Sequence, residues 1–331
     1  MYIVESYPLA VLLCVVTMLC WGSWANTQKL ASKEWGFPLF YWDYTLGVII
    51  LSLVFGLTLG SQGENGQAFV PNLVNASAIA LLLALLGGAI FNIANLLLVA
   101  AIDIAGMAIA FPIGIGIALV LGVVVNYIAA PDGNAVLLFL GVGLITVAIV
   151  LDAIAYKKIS KGAATAKGIF ISLAAGVLMG FFYRFVAASM SPEFEVTAQG
   201  FLTPYSAVFV FAIGIFISNF LFNSFFMYKP LNGAKVSYSD YFKKGTPKLH
   251  VIGIVGGVIW AIGMLLNMIA AGEAGFAISY GLGQGATMIA AIWGVFIWKE
   301  FKNAPKGTNL LLGLMFLFFA LGIGLIIMAK I

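Results

Sequence analysis

The sequence predicts an all-α polytopic membrane protein of ten transmembrane helices arranged as a 5+5 inverted repeat. Three observations carry that expectation. The 331 residues are 63% hydrophobic and only 8% charged, with a mean hydropathy of +1.11, where a soluble domain keeps roughly a quarter of its residues charged. The apolar residues fall in runs of about 20, the length a helix needs to cross about 30 Å of hydrocarbon. Finally, two distant stretches of the chain match one another without a gap.

Continuous apolar character places the spans at about 7–28, 38–59, 76–101, 106–128, 135–156, 166–188, 202–225, 249–271, 276–298 and 308–329. The first has no basic leader and no small-residue cleavage pattern after it, so it reads as a retained helix. Cys14 and Cys20, six residues apart within it, face different sides of a helix and cannot bridge. The connections carry turn-forming residues: SQGENGQ after span two, PDGN after span four, SPEFE after span six, and KPLNGAKVSYSDYFKKGTPK, the longest, after span seven. None is long enough to form a separate soluble module.

Numbering these loops alternately puts fourteen basic residues on one side: Lys29, Lys33, Lys157, Lys158, Lys161, Lys167, Lys229, Lys235, Lys243, Lys244, Lys248, Lys299, Lys302 and Lys306. The other side receives only Arg184 and Lys330. Lysine-rich short loops stay cytoplasmic, so both termini are expected outside, in a multi-pass protein of the cell membrane, cytoplasmic if bacterial. The net charge of +4 therefore reports orientation, and no nucleic-acid partner is expected.

The internal match aligns GGAIFNIANLLLVAAIDIAGMAIAFPIGIG (87–116) with GGVIWAIGMLLNMIAAGEAGFAISYGLGQG (256–285), pairing Gly87 with Gly256, Gly88 with Gly257, Gly106 with Gly275 and Gly116 with Gly285. Spans three and four thus correspond to spans eight and nine. Residues 1–157 form a first five-helix repeat and 158–331 a second, together one membrane domain. Because five is odd, the second copy enters the membrane from the opposite face, as inverted-repeat transporters do.

Such transporters bind solute near the midplane, at helices interrupted by glycine or proline in equivalent positions. Here those helix breaks are Pro112, Gly114 and Gly116 in one half, and Gly281, Gly283 and Gly285 in the other. Each lies roughly 12 Å from its own end of the helix at 1.5 Å per residue. Close helix packing through small residues is the alternative. The polar side chains near that depth are Asn92, Asn95, Gln284 and Thr287, with Trp260 mid-span. An amide in hydrocarbon must bond another helix, water or a solute. Together with Trp24, Asn26 and Tyr280 these are the candidate substrate-binding residues. Asp152, near the inner end of span five beside Lys157 and Lys158, reads as interfacial.

Asp43 lies about one and a half turns into span two, roughly 8 Å along the helix. A carboxylate surrounded by hydrocarbon can take up and release a proton, as coupling to a proton gradient requires. A helix-start residue flanked by interfacial Trp42 and Tyr44 is the alternative. No nucleotide loop, metal-ligand cluster or hydrolase motif is present: Gly281–Gly285 lacks the lysine-serine pair, and the single histidine, His250, has no HExxH around it. Neither catalytic residues nor cofactor nor metal are expected.

The opening Met1-Tyr2-Ile3-Val4-Glu5-Ser6, then Trp21-Gly22-Ser23-Trp24-Ala25-Asn26 and Asp43-Tyr44-Thr45-Leu46, resembles the ureide permeases of plants and their bacterial relatives. These are grouped with the glucose/ribose porter branch of the drug/metabolite transporter superfamily. The late Trp298-Lys299-Glu300-Phe301 resembles that superfamily's ending. The resemblance implies a ten-helix inverted-repeat fold and proton-coupled uptake of ureides and nucleobases such as allantoin and uracil. Two departures stand out: plant members carry a long central cytoplasmic loop where spans five and six are here joined closely, and Ala25 stands where proline is usual.

The expected function is a secondary active transporter that takes up a small neutral polar solute by proton symport, with membrane lipid as its surroundings and the oligomeric state open. Sugar uptake by a transporter of the same superfamily is the alternative. A multidrug exporter, or a non-transporting receptor or scaffold, are the further rivals.

Overall fold

A computed structural model describes residues 1–31, 34–159 and 165–331. Lys33 and Lys161, both counted on the lysine-rich side, lie outside the described residues. The described chain is helical, and ten of its helical stretches are long and apolar enough to cross a membrane. The sequence-based spans match them to within a few residues at most ends.

The first span is two helices, α1 (Tyr7–Ser23) and α2 (Ala25–Ala31), jointed at Trp24. Then come α3 (Phe37–Leu57), a short α4 (Phe69–Asn75), α5 (Ala78–Ala105), α6 (Met107–Ala129), α7 (Ala135–Ile159), α8 (Ala166–Ser189) and α9 (Pro204–Tyr228). A short α10 (Tyr238–Lys244) precedes α11 (Pro247–Ala274). The ninth span is α12 (Phe276–Gly283), α13 (Ala286–Ile292) and a π-helical turn Trp293–Ile297, and α14 (Thr308–Met328) is the tenth.

Helix starts follow local chemistry. The side chains of Ser77, Thr165, Thr203 and Thr246 accept hydrogen bonds from the first turns of α5, α8, α9 and α11, satisfying amides that have no intrahelical partner. Helix α10, within a segment the sequence reads only as a long connection, is held by a capping box. Ser237 accepts from the Asp240 amide while Asp240 accepts from the Ser237 amide. Gly106 (φ 80) alone joins α5 to α6, and Gly275 (φ 79) alone joins α11 to α12. The left-handed backbone there is glycine's region.

Two crossings organise the interior. Where α3 meets α11, a Cβ on Gly47 would strike the Ile254 carbonyl and one on Gly257 the Tyr44 carbonyl. Where α5 meets α9, Gly88 lies against the Phe211 carbonyl and Gly214 against the Leu85 carbonyl. Backbone touches backbone at both, which is how helices pack closely when lipid offers no hydrophobic drive. Helix α8 packs on α5 and α6, as α1 packs on α11 and on α12 and α13, and α7 packs on α14.

The two segments expected to interrupt helices behave differently. Helix α6 runs unbroken through Pro112, Gly114 and Gly116. Pro112 is early in that helix, and the Gly114 backbone serves as a packing surface for Gly176 of α8. In the second half the chain breaks at Gln284-Gly285, between α12 and α13. Gly281 and Gly283 stay helical, with Gly283 against Trp21 and Asn267, and Gly285 sits against Met18.

Candidate functional site

A cavity of about 420 Å³ lies between α1, α2, α5, α7, α8, α11 and the broken ninth span. Its rim is on the lysine-loop side, where Ala25, Lys29 and Asp103 are exposed. Its inner end is buried: Phe91 is 3% exposed, Trp260 5%, Asn95 4% and Gln284 9%.

The aromatic wall is built on α1, α5 and α11. Trp21 stacks on Trp260 with ring centroids 5.9 Å apart, its indole N–H donating to the Trp260 carbonyl, and the Phe91 ring centroid lies 4.5 Å from that of Trp260. Phe182 of α8 closes against Phe91. The polar groups come from α5 and the helix break. Thr287 donates to the Gln284 carbonyl at 2.9 Å. Among the described residues the Gln284 side-chain amide meets no hydrogen-bonding partner. Asn95 reaches the Tyr41 hydroxyl with Nδ2 at 3.4 Å, and its other amide atom meets none.

At the rim, Lys29 pairs with Glu300 at 2.6 Å and lies over the Trp298 ring. Glu300 also accepts from the Tyr156 hydroxyl at 2.8 Å. Asn26 spends its amide on the Ser23 carbonyl and on the Trp298 indole N–H, which it accepts at 2.6 Å. The π-helical turn and Lys299, whose φ is 53, fold the 298–300 segment back over the mouth. Such turns gather at functional sites.

Of the sequence-predicted residues, Trp24, Asn26, Asn95, Trp260, Gln284 and Thr287 line this cavity, and Asn92, Tyr280 and Asp43 do not. Asn92 donates to the Ile215 carbonyl and to Ser218 on α9. Tyr280 donates to the Ala118 and Met179 carbonyls. Both tie helices together. Asp152, read as interfacial, is instead 7% exposed and on the cavity wall. The sequence reading also missed Tyr156, Glu300, Trp21 and Phe91, because their convergence depends on helix pairings and on the fold-back of the 298–300 segment.

Asp43 sits under a clamp on the lysine-loop side of α3. It accepts from Tyr241 of α10 at 2.5 Å, from the Trp35 indole at 3.3 Å, and lies 2.9 Å from His250 Nδ1 on α11. Burial, then the bond to Asp43, holds the Tyr241 phenol above its ordinary range, so it stays a donor.

Beyond the cavity's inner end, Tyr183 donates to Asn267 at 2.7 Å and meets Ser279 at 2.9 Å, while Asn267 donates to the Ser279 carbonyl. All three side chains are inaccessible. This knot joins α8, α11 and α12. Metal-binding clusters are absent among the described residues.

The model of the ureide permease family matches residues 155–330. Ureide permease 4 of Arabidopsis thaliana is 23% identical, covering 98% of each chain. Ureide permease 5 of the same plant is 22% identical over 98% of this chain and 95% of its own. A probable glucose uptake protein, GlcU of Priestia megaterium, is 24% identical over 94% of this chain and 96% of its own. A solved structure described only as a crystal structure of a protein shares the fold, with a TM-score of 0.59 at 14% identity over 97% of this chain and 96% of that one. With its second half matched by the family model and near-complete alignment to plant members, this membrane-spanning chain belongs to the ureide permease family.

Proposed function

We propose that this protein is a secondary active transporter that takes up a small, neutral, polar solute, a ureide or nucleobase such as allantoin or uracil, by proton symport. The observation that carries the reading is the buried end of the cavity, where the Gln284 amide, unpaired among the described residues, and Asn95, whose Nδ2 reaches Tyr41, line the wall with Trp260, Trp21 and Phe91. A nucleobase, like the hydantoin ring of allantoin, is flat and edged with N–H and C=O groups, and allantoin's ureido arm, set on a tetrahedral carbon, adds more of both. Amide side chains complement that edge, and indole faces stack on that plane. A volume of about 420 Å³ suits one such molecule with some water. Ureide permeases among the relatives support the same substrate class.

Sugar uptake is the second reading, favoured by the resemblance to a probable glucose uptake protein. An indole face also suits the C–H face of a pyranose. A thermal-shift screen of the purified protein against allantoin, uracil, ribose and glucose separates the two, because a ligand that binds only the folded state raises its stability. Stabilisation by allantoin or uracil and not by the sugars is expected. The reverse pattern selects sugar, and a response only to lipophilic cations selects an exporter.

The two halves act in this reading as inverted copies. Support comes from equivalent single-glycine joints, Gly106 and Gly275, and from equivalent crossings, Gly88 on Phe211 and Gly257 on Tyr44. With the lysine loops cytoplasmic, the cavity opens inward and the Tyr183–Asn267–Ser279 knot is the closed outer gate. Asp43, which the sequence reading offers as the proton carrier, lies outside the cavity and in this reading fastens α10 and α11 to α3.

A further inference from the structure

We propose that Asp152, on the wall of the solute cavity, carries the coupling proton, beside Tyr156 and Glu300, which are already paired with one another. The inference rests on the transporter reading above and assigns its ion site.

Six residues hold buried side-chain polar atoms without a partner among the described residues, and Asp152, through its Oδ1, is the one of these residues that lines the cavity. An ionised carboxylate so placed is costly, so its proton or a group entering the cavity must satisfy it. Tyr156 follows one turn later on the same face of α7, but spends its O–H on Glu300 at 2.8 Å. Glu300's other oxygen is held by Lys29 at 2.6 Å. A Cβ on Gly294 would strike the Tyr156 hydroxyl, so the glycine lets the π-helical turn bring Glu300 this close. The result is one carboxyl whose partners are already chosen and, one turn deeper, one whose partner is left to the cavity. Asp43 differs on both counts: Tyr241 and Trp35 donate to it with His250 Nδ1 2.9 Å away, and it lies off the wall.

The other charged and titratable groups around Asp152 are few. Across the cavity stand Lys29, Asp103 and Glu300. On its own helix Lys157 and Lys158 lie beyond Tyr156 at the end of α7. Helix α14 carries none, and α6 carries only Tyr127, packed on Phe139 at the far end of α7.

The step is a simple proton transfer. Protonated Asp152 donates its O–H to a carbonyl of the bound solute. After the solute leaves, that O–H bond breaks, water at the lysine-loop mouth accepts the proton, and the carboxylate is left. No electrons are exchanged. Because solute and proton meet at one group, each strengthens the other's binding by the same factor.

Titration calorimetry of the detergent-purified protein with allantoin, between about pH 5 and about pH 8, tests this. In the wild type, affinity is expected to fall about tenfold per pH unit above a midpoint, the slope of one linked proton. Asp152→Asn should flatten that slope and Asp152→Glu should restore it. Glu300→Gln, which removes a neighbouring negative charge, should move the midpoint toward acid. Asp43→Asn should keep the slope. A full slope in Asp152→Asn, its loss in Asp43→Asn, or an affinity that follows sodium rather than pH overturns the assignment. Should Asp152→Asn fail to fold, an unmoved midpoint in Glu300→Gln overturns it instead. Binding of neither allantoin, uracil nor ribose by the wild type at any pH sinks the transporter reading, and this assignment with it.

Discussion

Gln284 and Asn126 are both amides buried at membrane depth, yet they serve different ends. Asn126 donates to the Gly122 carbonyl of its own helix, while Gln284 stands at a chain break and faces the cavity. A solute that hydrogen-bonds Gln284 loses that bond in Gln284→Leu, which leaves a solute N–H or C=O unpaired in a dry site. That costs about 1–3 kcal/mol, or roughly 5- to 150-fold in affinity. Calorimetry against allantoin checks it. Trp260→Ala should weaken binding by a similar factor through lost stacking, again read as affinity. Tyr280→Phe gives the opposite outcome. It removes the donor to the Ala118 and Met179 carbonyls, so thermal unfolding should fall by about 1 kcal/mol while affinity holds.

At the scale of helices, the crossings decide whether the bundle assembles. Gly257→Val would press a side chain into the Tyr44 carbonyl, which the α3–α11 contact cannot accommodate. Loss of monodisperse protein in size-exclusion chromatography is expected. Gly116→Ala adds a methyl group where nothing lies within 4 Å, and should elute as wild type. The knot between α8, α11 and α12 makes a different prediction. Tyr183→Phe removes its bonds to Asn267 and Ser279, so amide exchange in α12 should speed relative to α14.

Across the whole molecule, the ten spans were legible in the sequence, because lipid imposes apolar length. The glycines matched at 87–88 and 256–257 were visible too, but that they sit at the α5–α9 and α3–α11 crossings emerged only from the fold. The site was legible only in part. Asn92 and Asn95 share a helix and a chemistry, and whether an amide meets a neighbouring helix or a cavity depends on a rotation that spacing does not encode. Asp152 reads as interfacial from its depth along span five, whereas the structure puts it on a cavity wall that Glu300 also lines, a convergence that spacing does not encode. Pro112 stays within α6 while the chain breaks at Gln284-Gly285, a difference that the matched glycine pattern does not encode. What unites these parts is the cavity between the halves, with its rim among the lysine loops. The most direct measurement is uptake of radiolabelled allantoin into proteoliposomes under an inward proton gradient, with wild type and Gln284→Leu compared side by side. Accumulation above the external concentration by wild type, collapsing with a protonophore and lost in the variant, is the predicted result. No flux of allantoin, uracil or sugar by well-folded wild type, or equal flux in the two proteins, would contradict it.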